Sequence, residues 1–396
     1  MSAIRFICAF VALLARAGNG QTPGDPVPPW SPGTLDIHQI QTGRGNAAFL
    51  VFPDGTTLLI DAGGVPERPG PQLGPARPNS SRTAGEWIAD YVAQFSPRQP
   101  AALNYALITH YHDDHMGAIA TVSGLLPIAR LFDRGDAPPP APGALIDGYR
   151  EFLKHFTGRR ETIRPGQIDQ IVAVRSGRLL PDFEVRTLAV DGEVWTGSGT
   201  STRVVFPAGW NRLPLAEQPT ENEFSIALSI RYGRFRYYTG GDITGVPLDA
   251  LPAWHDIETP VARALGEVDA AVLDHHGWLD STNPFFLQTL RPRVVIVPAW
   301  HATHPDHGVL RRLLSTRVWP GPRDLFATTL LDAPRTIFSY LGEPFRSAEG
   351  HVLIRVTDGG TRYSVIILDD RDERRRVIAV YGPYESKQVH ARVRGN

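Results

Sequence analysis

Three imidazoles and a carboxylate fall within six residues of Thr109-His110-Tyr111-His112-Asp113-Asp114-His115. Ordinary surface composition does not concentrate metal-binding side chains in this way, so the stretch reads as a cation site. At the end of a strand, residues two apart point the same way, and His110 and His112 can therefore grip one divalent cation. Asp114 and His115 follow the turn, at the start of an expected helix over Met116–Thr121, and can face a second ion. Asp242 closes another strand behind Gly240 and Gly241. Its two oxygens can serve one cation each, which makes it the expected bridge. His275-His276-Gly277 comes 33 residues later. Neighbours on a strand face opposite ways, so one of the two is expected to be a ligand, with His276 favoured and the other touching a ligand or the substrate. Among His301, His304 and His307, His304 before Pro305 is best placed to add a ligand, and at least one of the three is expected to be a loop histidine. Asp61 is read as a carboxylate that orients a ligand histidine rather than as a ligand. His38, His155, His255, His351 and His390 stand alone and are expected to be structural or solvent-facing.

The chemistry that such a set would perform is hydrolysis by a metal-bound hydroxide. Lowering the pKa of water from about 15.7 to about 7 is worth on the order of 12 kcal/mol in generating the nucleophile at neutral pH. The second ion would stabilise the oxyanion or the leaving oxygen, Asp114 could also orient the hydroxide, and no serine or cysteine nucleophile is needed.

Composition removes the competing sites. One cysteine among 396 residues excludes a disulfide scaffold and a thiolate zinc module, whereas eight of the 13 histidines lie in the windows Tyr105–Met116 and Asp274–Gly308. A formal net charge of −1 with 42% hydrophobic residues is that of a globular chain with little non-specific attraction for nucleic acid or anionic membrane. The richest basic stretch, Arg371–Arg376, is interleaved with Asp and Glu and reads as a solvated face. Met1–Arg5 carries a positive charge, Phe6–Ala15 is apolar, and Ala15-Arg16-Ala17 offers small residues two apart. Residues 1–20 are thus expected to be a secretory signal peptide that takes Cys8 with it, and the mature protein to be secreted or periplasmic without a membrane span.

The elements that must display these side chains read as two echoing halves. Ala47–Phe52 and Thr57–Asp61 flank the turn Pro53-Asp54-Gly55-Thr56, a helix is expected over Arg82–Phe95 with Trp87, Ile88, Tyr91 and Val92 on its buried face, and Ala106–Thr109 is a strand leading into the first cluster. In the second half Phe224–Tyr232 and Phe235–Thr239 flank Gly233-Arg234, and Ala270–Leu273 leads into the second cluster. Val294–Pro298 is a further buried strand. This is the pattern of a pseudo-duplicated β sandwich with helices outside. Residues 133–220 read as an insertion or elaborated crossover near the site, with Tyr149, Phe152 and Phe156 on one helical face that either walls the substrate pocket or simply packs. Val352–Val356 and Tyr363–Leu368 form strands in a C-terminal β-rich extension over 318–396.

At these residues the chain resembles the metallo-β-lactamase fold, whose signature is H-x-H-x-D-H with a distant bridging Asp and a late His. Within that superfamily it is most similar to the hydrolase domain of ComEC-type DNA-uptake proteins and secreted relatives, including phosphorylcholine esterases. The residues that carry the likeness are Gly43-Arg44-Gly45-Asn46-Ala47, Leu59–Gly63, His110–His115, Glu221-Asn222 with Ser225, Gly241-Asp242, His275-His276-Gly277 and His304-Pro305. The resemblance implies an α/β fold, an αββα four-layer sandwich over 21–317, and two divalent cations, zinc or manganese. Many members place a third metal histidine shortly before the bridging aspartate. Here Asn222 stands near that point, as in the ComEC-type branch, and His276 or His304 would have to compensate. The branch implies a phosphodiester substrate, either nucleic acid or a small or lipid-derived diester, with nucleic acid disfavoured by charge. The alternatives are a carboxylic ester, lactone or β-lactam hydrolase on the same metals, and a non-catalytic secreted binding module.

Overall fold

The structure is a computed structural model that describes residues 22–68, 70–139, 141, 146–177 and 180–388. The expected signal peptide over 1–20, Cys8 and His390 lie outside the described residues. No described helix is long and apolar enough to cross a membrane.

Two nine-stranded sheets carry the fold. In the first, the hairpin Ala48–Val51 and Thr57–Ile60 is antiparallel. Its turn is held by Asp54, whose carboxylate accepts the Thr56 backbone N–H at 2.9 Å. The sheet then continues in parallel from Thr57–Ile60 through Leu103–Leu107 and Ile128–Asp133 to Arg159–Thr162. The second sheet repeats the scheme. Ala227–Tyr232 and Phe235–Thr239 pair antiparallel, and the parallel run passes through Ala270–Val272, Val294–Val297 and Asp324–Ala327. In both sheets, therefore, neighbouring parallel strands deliver their carboxyl ends side by side. Loops leaving such ends are where α/β sheets present ligands.

Three apolar layers hold the sheets and helices together. Alternating inward side chains of both sheets, among them Leu50, Tyr105, Phe132, Ile230, Phe235 and Phe326, form the layer between the sheets. The outer face of the first sheet is covered by the helices Ala84–Phe95 and Ile119–Leu125, and that of the second by Glu258–Leu265, Pro284–Leu290 and His307–Leu314. The result is the α/β four-layer αββα sandwich. Helix Ala84–Phe95 starts where Thr83 and Glu86 form a reciprocal capping box, and it buries Trp87, Ile88, Tyr91 and Val92.

Residues after 318 supply strands to both sheets. Asp324–Ala327 and Phe345–Ser347 extend the second, while His351–Thr357 pairs with Leu35–Gln39 in the first and is followed outward by Arg362–Leu368 and Val377–Glu385. Residues 133–220 run from the edge strand Arg159–Thr162 of one sheet to Phe183–Val190 of the other. Helix Asp147–His155 in this segment packs its aromatic face on the first sheet. Tyr149 is buried against Tyr111 with ring centroids 5.4 Å apart and donates to Asp133 at 2.7 Å, and Phe152 and Phe156 pack into the outer layer of the first sheet. An apolar face that has a sheet to cover is consumed by that packing.

The isolated histidines divide as expected. His155 is exposed and His255 is buried against Glu223. His38 and His351 are buried beneath helix Ala84–Phe95. Burial, reinforced by Arg355, pushes the His38 imidazole down to about 3, and burial with Arg375 holds His351 well below its ordinary range. The native state thus binds fewer protons than the unfolded chain between the unfolded histidine pKa near 6.5 and about 3, so stability is present above that window and is lost as the pH falls through it. Denaturant melts at a series of pH values should show this decline. His38→Gln should reduce the slope by up to one proton, about 1.4 kcal/mol per pH unit. An unchanged slope would mean that His38 is not held neutral by the fold.

Candidate metal centre

The first cluster is shaped by backbone contacts between three loops. His112 begins the short helix Asp113–Met116, which places His115 one turn further on. The backbone N–H groups of Asn46, Ala62 and Gly64 donate to the carbonyls of Asp114, His115 and Asp113 at 2.7, 2.6 and 2.9 Å. Such close backbone approach explains the glycines around Asn46 and after Asp61. A Cβ at Gly45, where φ is 125°, would collide with the Asp114 carbonyl oxygen and lie 2.7 Å from the Asp114 Cα. Asp61 follows the strand Thr57–Ile60. Its carboxylate accepts the Thr109 N–H at 2.8 Å, the Thr109 hydroxyl at 3.0 Å and Asn46 Nδ2 at 3.0 Å, and it takes His115 Nδ1 at 2.7 Å. The structure thus places Asp61 behind His115, where it fixes the tautomer that leaves Nε2 facing inward.

From the second sheet come Asp242, after Phe235–Thr239, and the pair His275-His276, after Ala270–Val272. The expectation that these adjacent histidines face opposite ways fails, because the strand has already ended. Both residues adopt left-handed backbone, with φ of 46° and 55°, and this tight turn brings both Nε2 atoms toward Asp242 Oδ2, at 3.8 Å for His275 and 3.7 Å for His276. Two consecutive non-glycine residues in this region are costly and persist only where their surroundings enforce them. His275 Nδ1 is held by Asp280 at 2.7 Å, and His276 Nδ1 by the Pro298 carbonyl at 3.1 Å.

The donor atoms fall into two groups that share one carboxylate. Asp114, His115, Asp242 and His276 converge in the first, and His110, His112 and Asp242 in the second. His304 joins neither group. Its ring lies flat on His276 with centroids 4.8 Å apart, and its Nδ1 is buried without a partner. His307 sits away from the centre, stacked on Phe338 and bonded to Tyr340. Asn222 turns its Nδ2 toward His275 Nε2 at 3.2 Å and leaves Oδ1 buried and unpartnered. His275 therefore stands beside the second donor group, on the side of Asn222.

The arrangement is suited to cations. His115 donates its Nδ1 proton to Asp61, and His276 donates its own to a carbonyl, which can only accept. In their neutral forms both Nε2 atoms then carry lone pairs, and they face each other at 3.2 Å. His110 Nε2 and His112 Nδ1 approach to 3.1 Å. Asp242 Oδ1 is buried, has no hydrogen-bond partner and lies 3.1 Å from His115 Nε2. The first and last of these contacts need positive charge between them, supplied by a proton or a metal ion, whereas His110 and His112 can share the N–H of one neutral ring. In the metal-free protein protons take that place. Burial opposes ionisation of both Asp242 and His115, yet their mutual attraction, with His276, His275, Asp114 and Asp61 nearby, holds Asp242 well below the carboxylate range and His115 well above the imidazole range. Burial and the neighbouring His115 hold His110 well below its usual value, ready as a neutral ligand.

One support could not be seen in the residue pattern. Arg134, fully buried, forms a fork on Glu221 at 2.9 Å through both Nε and Nη2. Glu221 in turn accepts the backbone N–H of Tyr111 at 3.0 Å, between His110 and His112 in sequence, and it precedes Asn222. One ion pair thus ties the first-sheet cluster to the second-sheet loop. Arg134 has no neighbouring motif, and only the position of Glu221 beside Asn222 hinted at a role.

Residues 41–203 match the family model described as the metallo-beta-lactamase superfamily, and the two-sheet architecture is consistent with that fold. No curated protein matches. Solved structures similar to this chain include CmlA, a diiron β-hydroxylase from Streptomyces venezuelae, at 15% identity and a TM-score of 0.42 over 77% of this chain and 54% of that one. Others are unliganded yeast PDE1, at 10% identity and 0.35 over 81% and 99%, and MEM-A1, a subclass B3 metallo-β-lactamase from a soil metagenome library, at 15% identity and 0.34 over 75% and 87%. The chain thus spans about half the length of CmlA. The matched segment together with the His/Asp cluster supports a metal hydrolase.

Gly45→Ala should test the backbone packing behind the centre. The added methyl must push the 113–115 turn outward, so bound metal at limiting free metal should fall while circular dichroism of the fold is retained. Full metal content in this variant would show that the loop contact does not set the donor geometry.

Proposed function

We propose that this protein is a secreted hydrolase that uses two divalent cations, zinc or manganese, to cleave phosphodiester bonds in a small or lipid-derived diester. The observation that carries the reading is the position of Asp242, whose carboxylate belongs to both donor groups. His110, His112 and Asp242 would hold one ion, with His275 beside them, and Asp114, His115, His276 and Asp242 the other. Bound there, the pair of cations would supply an activated water at neutral pH and neutralise charge on the oxygens of the bond being broken.

The chain's own residues set up that chemistry. Asp61, Asp280 and the Pro298 carbonyl fix the inward-facing nitrogens of His115, His275 and His276. The side chain of Asp114 is 15% exposed, against 2% for Asp242 and none for Asp61, so it is the carboxylate of the cluster open to the cleft. It can orient an attacking water by accepting its hydrogen bond. Asn222 buttresses His275 from the side. The phosphodiester assignment follows the resemblance of Asn222, Asp242 and His275-His276 to the ComEC-type pattern, and two cations held by donor groups that share Asp242 would suit the attacking and leaving oxygens of an in-line displacement. A near-neutral chain argues for a small diester over a long polyanion.

Metal analysis of the purified protein, combined with turnover of a bis-aryl phosphate, a lactone and a cephalosporin, tests the reading. Two ions per chain and turnover of the phosphate alone are expected. Lactone or cephalosporin cleavage without phosphate cleavage would transfer the protein to the acyl-hydrolysing alternative, and absence of metal and of all turnover would leave a binding module. Asp242→Ala should lose both ions and activity together. Asp61→Asn should keep the fold but weaken metal binding by about 10- to 100-fold, as is usual for partners behind a metal ligand.

A further inference from the structure

A cavity of about 310 Å³ adjoins the donor cluster, lined by His275, Trp278, Trp300, His301, Thr303 and His304. It meets the centre through His275, whose Nε2 faces Asp242, and through His304, stacked at 17° on His276. Trp300 stands edge-on to both His276 and His304, at 88° and 80° with centroids 5.7 and 5.3 Å away, and Trp278 packs on His275 at 5.0 Å. Among the described residues no Lys, Arg, Asp or Glu lines this cavity. Two ring nitrogens beside it are buried with no hydrogen-bond partner, Trp300 Nε1 and His304 Nδ1, and His304 is only 5% exposed.

We infer that this cavity is the subsite for an uncharged aromatic group of the substrate, joined through oxygen to the bond that is cleaved. Two indole rings offer faces and edges for stacking. A nucleic acid strand would need arginine or lysine along its backbone, and the lining has neither. A quaternary ammonium group would suit indole faces, but no carboxylate in the lining balances its charge. The identity of the bond cleaved rests on the hydrolase reading above, whereas binding of the aromatic group does not require metal.

The test is calorimetric titration of the full-length protein, as purified and after chelation, with 2-naphthol, cyclohexanol, 2-naphthalenesulfonate and tetramethylammonium. Naphthol should bind in both preparations, and the other three at least about tenfold more weakly. Trp278→Leu and Trp300→Leu should each weaken naphthol about tenfold, in the range of single stacking contacts, with Trp278→Phe retaining more affinity than Trp278→Leu. Equal binding of cyclohexanol, or tighter binding of the sulfonate or the ammonium ion, overturns the inference, as does wild-type protein that does not bind naphthol. Because these arms are read on wild-type and metal-free protein, a variant that fails to fold does not decide the matter. Naphthol binding without metal or hydrolysis would sink the proposed function and keep the subsite. Phosphodiester turnover without selectivity for naphthol would do the reverse.

Discussion

The burial of Asp242 is the constraint around which the rest of the structure is organised. A carboxylate 2% exposed, with one oxygen lacking a hydrogen-bond donor, is tolerable only beside positive charge. Asp61 and Asp114 bring two further carboxylates into the same region, and His115 lies among all three. Imidazoles converge on these oxygens because they can hold a cation when one is bound and a proton when it is not. The glycines that let backbones touch and the partners that pin Nδ1 of His115, His275 and His276 follow from the need to keep these atoms in register. So does the Arg134–Glu221 fork.

The sheets solve the positioning problem with parallel strands. Thr57–Ile60 and Leu103–Leu107 run in parallel and so present Asp61 and the His110 cluster next to each other. Phe235–Thr239, Ala270–Val272 and Val294–Val297 do the same for Asp242, the His275-His276 turn and the Trp300–His304 loop. The aromatic cavity is therefore built on the same strand ends as the donor cluster, with His275 common to both. Substrate recognition and chemistry share a support that the apolar layers hold rigid.

Much of this was legible in the residues because the underlying rules are local. Turn chemistry located both hairpins, apolar spacing located helix Ala84–Phe95, and the two-residue spacing of His110 and His112 located one donor pair. Asp61 behind a ligand histidine was also readable, as a carboxylate closing a strand beside the cluster. What escaped was set by geometry that no local pattern encodes. The His275-His276 turn is left-handed, so adjacency gave the wrong expectation for which way each ring points. His304 was placed among the ligands from its neighbourhood in sequence, but its ring stacks on His276 and joins neither donor group. The strand His351–Thr357 pairs with Leu35–Gln39, and pairing across some 300 residues has no signature in either segment alone.

The echo between the two halves has an implication for how such a site could arise. Neither half holds a complete set. The first sheet brings His110, His112, Asp114 and His115 but no bridge, and the second brings Asp242 and His276 but too few partners. If the echo records a duplication, an ancestral half-length chain could have assembled a centre only by associating with another copy. In the present chain the same division would make each bound cation a tie between the halves, adding its binding free energy to the apolar layer that already docks one sheet on the other.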